Sequence, residues 1–174
     1  MNLNAVYGLF YIFLAIKWGD WKNWKAYYPT ILFLMVGDLV YQFLLFNHSM
    51  WEYVPVGSDE AWAKHTHIAI LIMLIKYPCT LLVFLGNLPS TYGRKLLYII
   101  GWTILYTINE FLDLKMGALV HKNGWNLCWS AFFSFVMFFV LYIHYKNPLF
   151  AWILATVYAV FLWNIFHISP NTLK

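Results

Sequence analysis

Apolar residues in this chain come in long blocks, separated by short stretches rich in charge, proline or glycine. About six blocks can be marked, over residues 3–16, 29–47, 65–85, 96–114, 125–145 and 148–167. Most approach the roughly 20 residues that carry an α-helix across a bilayer. The blocks are continuously apolar and do not alternate, which disfavours a membrane β-barrel. The pattern predicts an all-α protein. It is a polytopic transmembrane helical bundle of about six spans, in one domain over residues 1–174.

The breaks between blocks refine this. Residues 1–7 lack the basic region of a secretory signal, so the first block is expected to stay as a span. Residues 17–25, Lys-Trp-Gly-Asp-Trp-Lys-Asn-Trp-Lys, alternate tryptophan with lysine and suit an interfacial helix. Pro29 is expected to open the second span. Residues 48–64 form the longest polar loop, and Ser58-Asp-Glu reads as a helix start with Ser58 as N-cap. Pro78 should kink or locally open the third span. Ser130 and Ser134, at i and i+4, suggest a helix contact. Asn147-Pro148 marks a tight turn.

Composition supports the membrane reading. Of the 174 residues, 63% are hydrophobic and 10% charged, more apolar surface than a soluble domain of this size can hide. Tryptophan and tyrosine gather near block ends, as in interfacial belts. The net charge of +4 is spread over connectors, so no nucleic-acid surface is expected. Lys17, Lys22, Lys25, Arg94, Lys95 and Lys146 fall on one side. Lys64, Lys115, Lys122 and Lys174 fall on the other. The bias places both termini outside. Cys79 and Cys128 have no metal-binding spacing and fall on opposite sides, which argues against a disulfide.

The candidate chemistry lies inside the blocks. Tyr106, Asn109, Glu110, Asp113 and Gly117 share one helical stripe, opposite Ile108, Phe111, Leu112 and Leu114. Ionisable residues at membrane depth normally face a bundle interior or a wet cavity. Two carboxylates at i and i+3 repel unless a cation, a metal or a shared proton sits between them. Asp38 lies about 13 Å into the second span, with Tyr41 and Gln42 on its stripe. Lys76 sits at similar depth on the third span, so an Asp38–Lys76 ion pair is expected. Asp38, Gln42, Lys76, Asn109, Glu110 and Asp113 are therefore the candidate ligand- or ion-binding residues. Asn47, His48, His65, His67, His121, Asn164 and His167 should gather with Glu110 and Asp113 at the outer side. Among these, His65, His67, Glu110, Asp113 and His167 are the candidate metal ligands, since imidazoles and carboxylates hold zinc, manganese or iron. No tight metal motif accompanies them, and no motif specifies a cofactor. His144, at the inner end of the fifth span, reads as an interfacial residue. No catalytic triad pattern or phosphate-binding glycine loop is recognisable.

Glu110, Gly117, His121-Lys-Asn-Gly-Trp-Asn126, Ser130 and His144-Tyr-Lys-Asn-Pro148 resemble a family of small multi-pass membrane proteins common in spore-forming Firmicutes. The Trp-Gly-Asp-Trp-Lys-Asn-Trp and Tyr-Tyr-Pro stretches before the second span are similar too. The resemblance covers most of the chain. It implies a bacterial cell-membrane location, and no activity, cofactor or substrate.

Three functional readings remain open. The first is a bundle whose polar pocket binds or transports a small solute or ion. The second is a membrane-embedded enzyme, metal-dependent or not, acting on a lipid or isoprenoid with Glu110 or Asp113 as acid/base or ligand. The third is a non-catalytic accessory subunit whose charged spans meet another protein. The expected partners are the lipid bilayer and either a second copy or a membrane partner protein.

Overall fold

A computed structural model describes residues 3–61 and 63–173. Met1, Asn2, Trp62 and Lys174 lie outside the described residues, so Lys174 of the charge count is not placed. The helices are α1 (Leu3–Trp18), α2 (Trp24–Leu44), α3 (His65–Gly86), α4 (Tyr92–Lys115), α5 (Leu127–Lys146) and α6 (Pro148–Ile165). The protein is all-α but for a two-stranded ribbon. Its strands, β1 (Trp51–Tyr53) and β2 (Leu119–His121), pair antiparallel with Trp51 opposite His121.

Four helical stretches, Trp21–Leu44, His65–Gly86, Leu127–Lys146 and Pro148–Ile165, are long and apolar enough to cross a membrane. α1 is apolar but shorter. α4 has 24 residues, but Arg94, Lys95, Glu110, Asp113 and Lys115 dilute its apolar character.

The ribbon joins the α2–α3 connector to the α4–α5 connector, so both lie at one end of the bundle. The tail after α6 reaches the same end, where Ile168 packs with Met50 and Trp125. At the far end, Asn87 Nδ2 donates to the Trp18 carbonyl at 2.8 Å and ties the α3–α4 connector to the end of α1.

Local chemistry moves several helix starts. Pro29 does not open α2. A 3₁₀ turn, Trp21–Asn23, capped by the Asp20 carboxylate, already leads into the helix at Trp24. Pro29 lies inside the helix, where it has no N–H for the Lys25 carbonyl and forfeits one backbone bond. Ser58 does not cap a long helix either. It lies in the 3₁₀ turn Gly57–Asp59, and α3 begins at His65 after Lys64. Pro78 acts as expected. It has no N–H for the Leu74 carbonyl, and the turn before it, Ile72–Lys76, widens to a π-helix. Asn126 and Asn147 cap α5 and α6 through their side-chain oxygens, and Pro148 follows at the first helical position.

Two apolar clusters form the interior. The far-end cluster joins Tyr11 and Ala15 of α1, Leu81 and Phe84 of α3, Trp102 of α4, and Phe138 and Leu141 of α5. Leu81, Phe84 and Phe138 are fully buried. His144 borders this half and faces the protein interior. It is buried, bonds Thr30 Oγ1 at 2.9 Å and stacks on Phe33. The second cluster, Met50, Trp125 and Ile168, lies under the ribbon. Between the two clusters the packing opens.

Candidate functional site

The opening is a cavity of about 100 Å³, lined by Asp38 of α2, Ile72, Lys76 and Tyr77 of α3, Tyr106, Glu110 and Asp113 of α4, and Ser130, Phe133, Ser134 and Met137 of α5. Trp51, Tyr53 and Leu119 of the ribbon and Trp125 complete it. The ribbon therefore roofs the cavity. On the opposite side, the Tyr106 ring packs edge-on to Phe138 at 4.9 Å, and Phe138 meets Phe84 at 5.0 Å. That stack is the floor.

The helical stripe of α4 explains how the acids arrive. Tyr106, Glu110 and Asp113 face the cavity, while Ile108, Phe111 and Leu112 are exposed on the other side. Asn109 departs from the stripe. It is buried, and its Nδ2 donates to the Leu105 carbonyl of its own helix at 2.7 Å. An amide side chain in a helix can satisfy itself this way.

Two hydrogen-bonded strings run from ribbon-end imidazoles to the cavity acids. In the first, the Tyr53 N–H donates to His65 Nδ1 at 2.9 Å. That nitrogen must therefore be unprotonated, so Nε2 carries the proton and donates to Gln42 Oε1 at 2.9 Å. Gln42 Nε2 then faces Asp38 Oδ1 at 3.4 Å, and the Tyr77 hydroxyl donates to Asp38 Oδ2 at 2.9 Å. In the second string, Trp125 Nε1 donates to Ser130 Oγ at 2.7 Å, which directs the Ser130 proton to Glu110 Oε1. His121 Nε2 meets the same oxygen at 2.6 Å. Glu110 Oε2 takes no hydrogen bond among the described residues.

The expected Asp38–Lys76 ion pair does not form. Among the described residues, neither has an ion-pair partner within 4 Å. Lys76 Nζ lies over two aromatic faces instead, 4.4 Å from the Tyr106 ring centre and 5.1 Å from that of Tyr11. A ring face attracts an ammonium through its quadrupole, more strongly where water is excluded. Thr80 fixes one of these rings by bonding the Tyr106 hydroxyl at 2.8 Å. Asp113 has no ion pair among the described residues either; the Tyr7 hydroxyl approaches it without completing a hydrogen bond.

Four of the candidate ligand-binding residues, Asp38, Lys76, Glu110 and Asp113, thus surround one cavity. Gln42 stands behind Asp38, and Asn109 is outside. The candidate metal ligands do not converge. No three His, Cys, Asp or Glu side chains come together as a metal site among the described residues. His65 is taken by Tyr53 and Gln42, His67 Nδ1 accepts the Lys64 N–H, and His167 follows α6 in a left-handed conformation. His121 forms the closer partnership with Glu110 because β2 carries it back over α4. The aromatic walls also escaped the sequence reading, since rings near block ends look interfacial. A larger hollow of about 680 Å³, lined by residues such as Trp129, Phe132 and Phe161, is an open groove between α5 and α6 with no carboxylate or imidazole.

No family model, no curated protein and no solved structure matches this chain.

Proposed function

We propose that this chain is a six-pass protein of the bacterial cell membrane whose intramembrane cavity binds or transports a small solute or ion. The supporting observation is the cavity itself, where Asp38, Lys76, Glu110 and Asp113 from three helices meet without pairing to one another. Charges at membrane depth are costly and are retained where they serve a site. The family resemblance supports the location. Six passes agree with α4 carrying its acids toward the cavity and its apolar side chains outward.

Size favours this reading over an enzyme on a lipid or isoprenoid. Pockets for drug-sized ligands and cofactors run to about 300–1,000 Å³. A cavity of about 100 Å³ suits a few waters, an ion or a very small molecule. The larger groove could seat an acyl chain but offers no acid or base.

The test is a thermal-shift and tryptophan-fluorescence screen of the purified protein in detergent, with small cations, anions and zwitterions. At least one compound should stabilise the wild type and fail to stabilise Asp38→Asn or Glu110→Gln. If nothing in the panel acts, and both variants fold and behave as wild type, the cavity is architectural and a partner protein should be sought.

A further inference from the structure

The proposed binding cavity carries information about the charge and shape of its occupant. Its acids are Asp38, Glu110 and Asp113, and its one ammonium is Lys76. His121 Nε2 meets Glu110 Oε1 at 2.6 Å and occupies one oxygen of that acid. His65 is neutral by its bonding, with Nδ1 accepting from a backbone N–H. Three carboxyl groups therefore line the cavity beside one ammonium. In a half-buried site such an excess of acids suits a cationic occupant.

The walls say which kind. A bare alkali or alkaline-earth ion needs about six or more oxygen ligands, or retained waters, at close range. This cavity offers instead the rings of Trp51, Tyr53, Tyr77, Tyr106 and Trp125 beside its acids. Aromatic faces joined to carboxylates are the chemistry that holds alkylammonium groups. The protein already uses it, because the Lys76 ammonium rests on Tyr106 and Tyr11 with no carboxylate within 4 Å among the described residues. Tyr11 is 1% exposed and its hydroxyl bonds nothing among the described residues. Its contribution there is its ring face. A primary ammonium thus already rests on ring faces beside this cavity.

Resting on the reading of this cavity as a binding site, we propose that its ligand is a small monovalent ammonium cation, ammonium itself or a short alkylammonium. The carboxylates of Asp113 and Glu110 supply its charge partner and the tryptophan and tyrosine faces its enclosure. Lys76 is the resident competitor. Its side chain occupies ring faces that an incoming ammonium would share, and its charge opposes the newcomer.

That role gives the test its sign. The purified full-length protein is titrated with methylammonium chloride, following tryptophan fluorescence, with potassium chloride and glycine as parallel titrants. Wild type should saturate with methylammonium and not with equal potassium. Asp113→Asn should weaken binding about tenfold or more. Lys76→Met should tighten it, by removing the competing charge. Glu110→Gln provides a second acid variant should Asp113→Asn fold poorly. Binding of glycine or of chloride that is lost in Lys76→Met would make Lys76 the recognition group and overturn the cation assignment, leaving the binding cavity intact. Saturation by potassium as strong as by methylammonium would remove the role of the rings. Silence of the wild type to all three titrants, with no hit in the wider screen, would remove the binding cavity as well.

Discussion

Glu110 accepts from His121 and Ser130 on one oxygen, in a position where its side chain is 23% exposed and that of His121 14%. Glu52 and Lys122 form the comparable pair across the ribbon, but their side chains are 39% and 47% exposed. Water screens the second pair more than the first. His121→Ala should therefore cost about 1–3 kcal/mol, since it leaves a desolvated acid short of a partner. Glu52→Gln should cost less than about 1 kcal/mol. Thermal unfolding in detergent reads both, at roughly 2–4 °C per kcal/mol for a chain of this size. Equal shifts would mean that the His121 pair is as wet as the ribbon pair. A different carboxylate offers a pH test. Hydrogen bonds from the Tyr27 hydroxyl, and then from Asn23, hold Asp20 below the usual carboxylate range. A depressed folded value means stabilisation present above the unfolded value of about 4 and lost as the pH falls through the folded one. Asp20→Asn should thus lose less stability than wild type between neutral and acid pH, in paired melts at the two pH values. At this scale the sequence made Asp38, Lys76, Glu110 and Asp113 conspicuous, because charges inside apolar blocks need a reason. It could not tell which way each side chain would turn. Asn109 satisfied itself on its own backbone, and Lys76 found rings on α1 and α4 where a carboxylate was expected.

Helices of this bundle are legible from hydrophobic blocks, and their ends are less so. Apolarity says nothing about where a first turn begins. The cap does: the Asp20 carboxylate accepts from the Asn23 N–H, and His67 Nδ1 accepts the Lys64 N–H, at positions the blocks did not mark. The ribbon was illegible for a different reason. Its strands are three residues each, lie about 70 residues apart, and carry no alternation long enough to register. What holds the ribbon is tertiary. Trp51 stacks on Tyr41 at 4.3 Å, and the Tyr41 hydroxyl accepts the N–H groups of Met50 at 2.9 Å and Trp51 at 3.4 Å. Tyr41→Phe keeps the stack and removes the acceptor. The variant should lose about 1–3 kcal/mol, because two amides lose their partner. Hydrogen exchange at Met50 and Trp51 should quicken while amides of the α3 core stay protected. Unchanged exchange at both sites would show that stacking and strand pairing alone fix the ribbon.

Over the whole molecule, the cavity has a roof and a floor of unlike character, and that asymmetry gives orientation a functional meaning. The roof is a short ribbon with polar partners, and the floor is the Tyr106–Phe138–Phe84 stack in the dry cluster. Both imidazole strings end at the ribbon. If the cavity binds a solute as proposed, the solute should reach it from the ribbon end first, because the floor is the closely packed aromatic stack. The basic residues say which side that is. Lys17, Lys22, Lys25, Arg94, Lys95 and Lys146 sit at the floor end, against Lys64, Lys115 and Lys122 among the described residues at the ribbon end. The excess favours the floor end inside the cell. Single cysteines in a background lacking Cys79 and Cys128 make this measurable. Ser58 is exposed in the turn beyond β1, and Ser90 is exposed in the α3–α4 connector at the other end. A membrane-impermeant maleimide should label Ser58→Cys in intact cells and Ser90→Cys only after permeabilisation. The reverse pattern would turn the ribbon to the cytoplasm, and the cavity would then load from inside the cell. Labelling of both in intact cells would place the two connectors on one face and show that α3 does not cross the bilayer.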